Sequence, residues 1–180
     1  MRTNAELMAN INDSGGYARL NRFEVNVTPP ISLLSFRTGT RALDRISMNC
    51  TTASLPGKSI ATREVSRGGA LTQKFAHSSL YEDLRLTFML SDDSIEREFF
   101  ERWQELVNED RHGNLSFPSD YYGTVELVRE SRSGSRRGST YIYERCWPIN
   151  VGQVDFSTEA GTVASFQVAF AYRRWRRENT

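Results

Sequence analysis

Side chains able to do acid–base, nucleophilic or metal chemistry are few in this 180-residue sequence, and they are scattered. The two histidines, His77 and His112, fall in segments that read as a loop and a helix end. Neither has cysteine, aspartate or a second histidine at a spacing that would close a metal site. Asp92 and Asp93 could be imagined as a catalytic carboxylate pair, but they stand where a helix begins, a place acidic side chains favour because the helix exposes N–H groups there. No serine lies in a GxSxG elbow and no GxxxxGK[ST] phosphate loop occurs. "GSRRG" is too short for a dinucleotide fingerprint and leads into a strand pattern. Cys50 and Cys146 sit in apolar, strand-like contexts and read as buried reduced thiols; a disulfide between them needs a geometry the sequence does not supply. The residues thus imply no enzyme, no catalytic group, no cofactor and no metal.

Arginine chemistry remains. Arg129, Arg132, Arg136 and Arg137 flank or lie in a Ser/Gly-rich loop, and Arg173, Arg174, Arg176 and Arg177 cluster near the C-terminus around Trp175. Both groups offer phosphate or partner contacts, and the indole could stack on a base; a solvated loop and tail is the alternative. With 23 basic and 22 acidic residues the net charge is +1, which argues against a dedicated nucleic-acid binder. Among the basic residues only Lys58 and Lys74 are lysines. The planar guanidinium suits bidentate contacts across interfaces better than an ammonium does.

The elements that must position these groups point to one domain over residues 1–180, long enough to bury roughly 70% of its extended-chain surface. Hydrophobic residues make up 38% and charged residues 25%, so wholesale disorder is not expected. No run of about 18 apolar residues exists to span a membrane, and the first twenty residues, a polar segment with a possible short helix, lack the apolar core of a secretory signal. "RFEVNV" alternates Phe23, Val25 and Val27 against polar partners and reads as a strand ended by Pro29-Pro30. Residues 31–44 have no clean period and read as a long loop, after which Ile46, Met48 and Cys50 resume alternation. From about 53 to 79 the pattern is weak, an extended arm or loose hairpin. "DLRLTFML" is a clear strand. A helix over about 93–111 follows, with Ile95, Phe99, Trp103, Leu106 and Val107 on one stripe, Asp93 as N-cap, Glu96 completing a capping box and Gly113 as the stop. The remainder is β: "TVELVRE", then "YIYERCW" ending at Pro148, a redirection at Asn150–Gly152, and "VASFQVAFAY". The sum is mainly β, an antiparallel sandwich or barrel with one packed helix.

Three passages then carry a resemblance. "YARLNRFEVNV", "CTTASLPG", and "CWPINVGQVDF" with "VASFQVAFAYRRW" are similar, in order, to the strand entries and the Trp-Pro-x-Asn-Val-Gly signature of the tail tube proteins of contractile-tailed bacteriophages, which are related to type VI secretion tubes. The resemblance covers most of the chain; the link at 30–44, the Ser/Arg loop at 131–139 and the basic tail depart from it. It implies hexameric rings stacked into a hollow tube inside a sheath, a structural virion protein assembled in the host cytoplasm. Its implied partners are copies of itself, the sheath, the baseplate and the tail terminator, with DNA passing without specific binding and no membrane insertion. A baseplate tube initiator, a terminator, or the tube of a type VI or bacteriocin-like machine are neighbouring readings; a nucleic-acid-binding module is a separate one.

On this resemblance the arm and the N-terminal segment are expected to make the subunit contacts, through Tyr17, Arg19, Pro56, Gly57, Arg63, Arg67 and Gly68, together with Trp147, Pro148 and Asn150. Deleting residues 57–72 is expected to abolish tubes and spare the monomer. Arg132, Arg136, Arg137, Arg173 and Arg174 are expected to face outward or lie at ring junctions, because phosphate contacts repeated around a ring would hold DNA back.

Overall fold

The computed structural model describes residues 21–34, 39–55, 57–66, 72–109, 114–130, 137–154, 156 and 163–179. Strand β1 (Phe23–Thr28) follows its alternation, with Val25 and Val27 turned inward. Beyond the proline pair the chain forms a helical turn, α1 (Ile31–Leu34), and a helix, α2 (Gly39–Asn49), where a loop and then a strand were expected. Strand β2 (Cys50–Ala53) starts only where the expected strand was to end. Ala42 and Ile46, four apart, are fully buried, while Met48 is 83% exposed although alternation would bury it beside Ile46. Ile46 and Cys50, four apart, fit either period and only Met48 favours alternation; the helical period wins because Ala42 and Ile46 share its buried stripe.

Strands β3 (Lys58–Ser66) and β4 (Thr72–Tyr81) form an antiparallel hairpin, so the weakly patterned arm is a regular ribbon and His77 lies in a strand, not a loop. Strand β5 (Leu84–Met89) buries Leu84, Leu86 and Phe88 completely. Helix α3 (Ile95–Val107) is shorter than expected: at Asn108 the backbone becomes extended and β6 (Asn108–Glu109) pairs with β7 (Asn114–Leu115). Its stripe also differs, since Phe100 is fully buried and Leu106 and Val107 only half-buried. The expected cap is absent. Ser94 holds the N-cap position at φ 51° without a side-chain bond. Asp93 reaches Arg45 of α2 at 2.6 Å, and Glu96 turns inward to accept hydrogen bonds from Ser91 Oγ at 2.5 Å and Asn49 Nδ2 at 2.8 Å. These acidic residues tie α3 to α2, a tertiary use that outcompetes local capping.

A short turn, α4 (Pro118–Tyr121), precedes β8 (Gly123–Glu130), and the chain ends with β9 (Arg137–Val151), β10 (Ser165–Ala171) and β11 (Arg174–Asn179). The segment that reads as a basic tail is therefore a strand. The antiparallel order is β1–β8–β9–β10–β5–β2, with β11 also beside β9. Strand β9 belongs to two sheets: residues 139–144 lie between β8 and β11, and residues 147–151 pair with β10. The core lies between the sheets under α3, where Phe100 meets Phe88 at 5.2 Å and Phe170 at 5.8 Å, and Trp103 meets Phe170 at 6.0 Å between ring centres.

Candidate functional site

Two surfaces stand out by their geometry. The first is the hairpin, whose strands pair only with each other and stay largely exposed. Its register nonetheless sorts its side chains. Residues directly opposite share a face. Ala61, Arg63 and Val65 therefore stand with their partners Ser78, Phe75 and Gln73, and Leu80 lies on the same side opposite Ser59. The other side carries Ile60 and Tyr81 together with Lys58, Glu64 and Lys74, with Lys74 and Glu64 ion-paired at 3.3 Å. One side of the ribbon thus sets Ala61, Val65, Phe75 and Leu80 around a single arginine, with Ser59, Ser78 and Gln73 among them. The hairpin leaves the body at a fixed place: Glu82 N–H donates to Gly57 O, and the Tyr172 hydroxyl donates to Glu82 O at 2.7 Å. The Tyr81 and Tyr172 rings meet at 5.9 Å. Burial first, then nearby acidic groups, pushes the Tyr172 hydroxyl up to about 12, so it remains a donor at neutral pH.

The second surface surrounds the bend in β9. Arg145 adopts φ 56° and is the extra residue in the β8 register, where Gly123 faces Cys146 and Thr124 faces Glu144. This bulge, with Arg173 N–H donating to Glu144 O at 3.1 Å, is where the paired strands pass from one sheet to the other. The expected corner at Trp147-Pro148 is therefore displaced to Arg145, and the strand continues through Pro148 to Val151. Beyond Cys146 the strand pairs with β10 alone, so a proline that lacks an N–H sits on an edge and costs no ladder bond. A second irregularity leaves Ile149 between Pro148, opposite Phe170, and Asn150, opposite Ala169. A left-handed backbone disfavours β-branched side chains most, so Arg145→Val is expected to destabilise the fold by about 1–2 kcal/mol and Arg145→Gly to be tolerated, as thermal melts would show.

Trp147 packs on the rings of Tyr121 and Tyr122 at 5.8 and 5.4 Å, and the Arg145 guanidinium lies over Tyr122 at 5.9 Å. A cavity of about 610 Å³ opens between Trp147–Ile149 and the C-terminal half of α3, with Glu101, Glu105 and Val107 on the helix side. Glu101 is held by Arg97 at 2.7 Å, and Arg97 also donates to Gly152 O at 2.9 Å. Glu105 has no ion-pair partner among the described residues.

The sheet of β1, β8, β9 and β11 carries its charge on the face away from the core. There Glu24, Glu126, Glu144 and Glu178 outnumber Arg174 and Arg176. Arg174 binds Glu144 at 2.6 Å, and Arg176 reaches Glu144 at 3.2 Å and Glu178 at 2.8 Å. The hydrogen bond from Arg174 holds the half-buried Glu144 carboxyl below the usual carboxylate range.

The sequence-selected positions separate accordingly. Tyr17, Arg19, Pro56, Arg67, Gly68, Arg132 and Arg136 lie outside the described residues. Gly57 sits at the hairpin base and Arg63 directly across from Phe75. Trp147, Pro148 and Asn150 occupy the irregular end of β9. Arg137 begins β9 opposite Glu130, Arg173 is exposed at the bend, and Arg174 is committed to Glu144. The acidic rim at Glu101 and Glu105 and the tyrosines against Trp147 were not foreseen. Their link to Trp147 spans more than twenty residues of sequence and leaves no local pattern. Among the described residues no cluster of histidine, cysteine and carboxylates could hold a metal, and no helix is long and apolar enough to cross a membrane.

A family profile described as phage tail tube protein matches residues 18–178. No curated protein matches in sequence. Among solved structures, a chain of the PVC sheath-tube complex, an extracellular contractile injection system in the extended state, aligns at a TM-score of 0.66 over 100% of both chains with 10% identity. A chain of the sheath/tube terminator of that system aligns at 0.62, with 13% identity, covering 90% of this chain and 96% of the other. A chain of the anti-feeding prophage baseplate aligns at 0.62, with 14% identity, covering 91% and 96%. At such identities the likeness establishes the fold alone. With the profile spanning nearly all of the sequence, the chain belongs to the phage tail tube protein family.

Proposed function

We propose that copies of this chain join into six-membered rings that stack into the hollow inner tube of a contractile, phage-like particle. The tube is the conduit for genome ejection and is driven through the host envelope when the surrounding sheath contracts. The observation that carries this reading is the family match over residues 18–178. Physical features support it. Strands β1, β2 and β11 are sheet edges, and unpaired edges seek partners. A head-to-tail contact that closes gives a ring, and one that stays open gives a stack. The projecting hairpin, with the N-terminal segment, supplies these contacts. The charged face of the β1–β8–β9–β11 sheet lines the lumen, which turns Arg174 inward where the resemblance had it facing outward or at a ring junction. Its arginines are engaged by carboxylates and its balance is acidic, so passing DNA meets little that would hold its phosphates. The sheath lies outside the tube and the baseplate and terminator at its ends; the protein assembles in the host cytoplasm and becomes part of the virion.

The structural likeness to chains of a tube terminator and a baseplate supports a second reading, an end-piece of the same fold. Electron microscopy of the purified, concentrated chain separates them. Hollow tubes of indefinite length are the expected result. Single rings that never stack would favour an end-piece, and a persistent monomer under all seeding conditions would sink both.

A further inference from the structure

We propose that the groove between α3 and Trp147–Ile149 receives the Phe75 side of the hairpin from a second copy of the chain, with Phe75 seated against Trp147 and Pro148 and Arg63 paired with Glu105. This deepens the tube reading and rests on it. The hairpin presents Ala61, Val65, Phe75 and Leu80 on one side, with Arg63 directly across from Phe75. Phe75 is 45% and Leu80 55% exposed, although apolar groups of this size gain by leaving water. The groove has the opposite character at the same scale. Its about 610 Å³ has an apolar wall of Trp147, Pro148 and Ile149, room for an aromatic side chain and its neighbour, and carboxylates on its rim.

The charges complement each other. Arg63 has no ion-pair partner among the described residues, and neither has Glu105, whereas Glu101, Glu144 and Asp93 are each matched by an arginine. A guanidinium beside a phenyl ring fits a carboxylate beside an indole. Desolvating such a pair fixes register as well as adding attraction. The hairpin of the same chain is a poor occupant. Its base is pinned by Tyr172 and Glu82, and its strands pair with no other element of their own chain. A second copy brings the same hairpin without that tether, and each copy then offers both a hairpin and a groove, the head-to-tail pattern from which rings and stacks are built.

The test uses the full chain. Arg63→Glu and Glu105→Arg are each expected to leave the thermal melt unchanged and to raise the concentration needed for assembly about tenfold or more. The double variant, with the charges exchanged, is expected to recover most of the loss. In a second arm, chains carrying Phe75→Cys are mixed with chains carrying Ile149→Cys under mild oxidation. A disulfide-linked dimer is expected in the mixture well above either variant alone. Wild-type tubes indifferent to both charge reversals, or a mixture yielding no excess of linked dimer while wild-type tubes form, overturns the groove assignment alone. A wild-type chain that forms neither rings nor tubes overturns the tube reading beneath it. A chain carrying both cysteines that closes its disulfide internally assigns the groove to its own hairpin and overturns the second copy as occupant.

Discussion

A chain lacking residues 58–81, rejoined by a short Gly-Ser link, is expected to stay folded and to form no tubes at concentrations where the intact chain does. The excision can be clean because the two ends already meet: Glu82 N–H donates to Gly57 O at 3.4 Å, a gap one or two glycines would close. The removed strands contribute none of the buried core. Some anchoring is lost, since Tyr81 leaves the Tyr172 ring, but the Tyr172 bond to Glu82 O can remain. Stability should therefore move little while assembly disappears. The smaller deletion of residues 57–72, suggested by sequence alone, is a worse experiment. It would take β3 and leave most of β4 as an unpaired strand, an invitation to aggregate. Circular dichroism and sedimentation read the two properties separately. Tubes of normal form from the excised chain would remove the hairpin from the assembly, and an unfolded product would show it to be part of the core.

Replacing Gly123 with alanine is expected to lower the melting temperature by about 6–12 °C, corresponding to about 3 kcal/mol for a chain of this size. Gly123 opens β8 beneath the α3 tryptophan. A methyl group there would stand 2.6 Å from Thr28 O, 2.6 Å from Trp103 Cζ2 and 2.7 Å from Cη2. Neither obstacle yields easily. The Thr28 carbonyl belongs to β1, paired along its length with β8. Trp103 is fully buried, donates its indole N–H to Tyr121 O at 2.8 Å and packs edge-on against Phe99 and Phe170. Trp103→Phe in the same chain would clear the ring atoms and not the carbonyl. The double variant should therefore be less destabilised than the sum of the singles, yet below either parent. A Gly123→Ala melt within a degree of the wild type would refute the close approach.

Much of the architecture was legible where one period ran uninterrupted. "RFEVNV", "DLRLTFML" and "VASFQVAFAY" alternate cleanly because each covers one side of a core, and the α3 stripe emerges because a buried helix repeats its apolar face. Legibility failed where two periods agree over a short span, as at Ile46 and Cys50, and where a side chain's partner is distant. Asp93 and Glu96 look like capping residues until Arg45 and Asn49 are brought alongside by another helix. The Trp-Pro step looked like a corner because proline ordinarily ends a ladder, but nothing local says that this part of the strand is an edge. The true bend, at Arg145, has no signature at all, since arginine is not a residue chosen for a left-handed backbone. As for the proposed contact surfaces, Arg63 and Trp147 were singled out by the family pattern and by polarity. The groove beside Trp147 exists only after α3 has folded against it.

The two sheets of this molecule share one unbroken strand, β9, and alongside it β10 and β11 follow each other with only Tyr172 and Arg173 between them. The sheets are therefore joined by covalent backbone and not only by interlocked side chains. A force applied along one sheet passes to the other through two peptide chains loaded lengthwise, with the ladder between them in shear. Separating the sheets would require many hydrogen bonds to fail together, whereas peeling would break them singly. For a subunit of the proposed tube, loaded along its axis, this makes the bend at Arg145 a stiff knee.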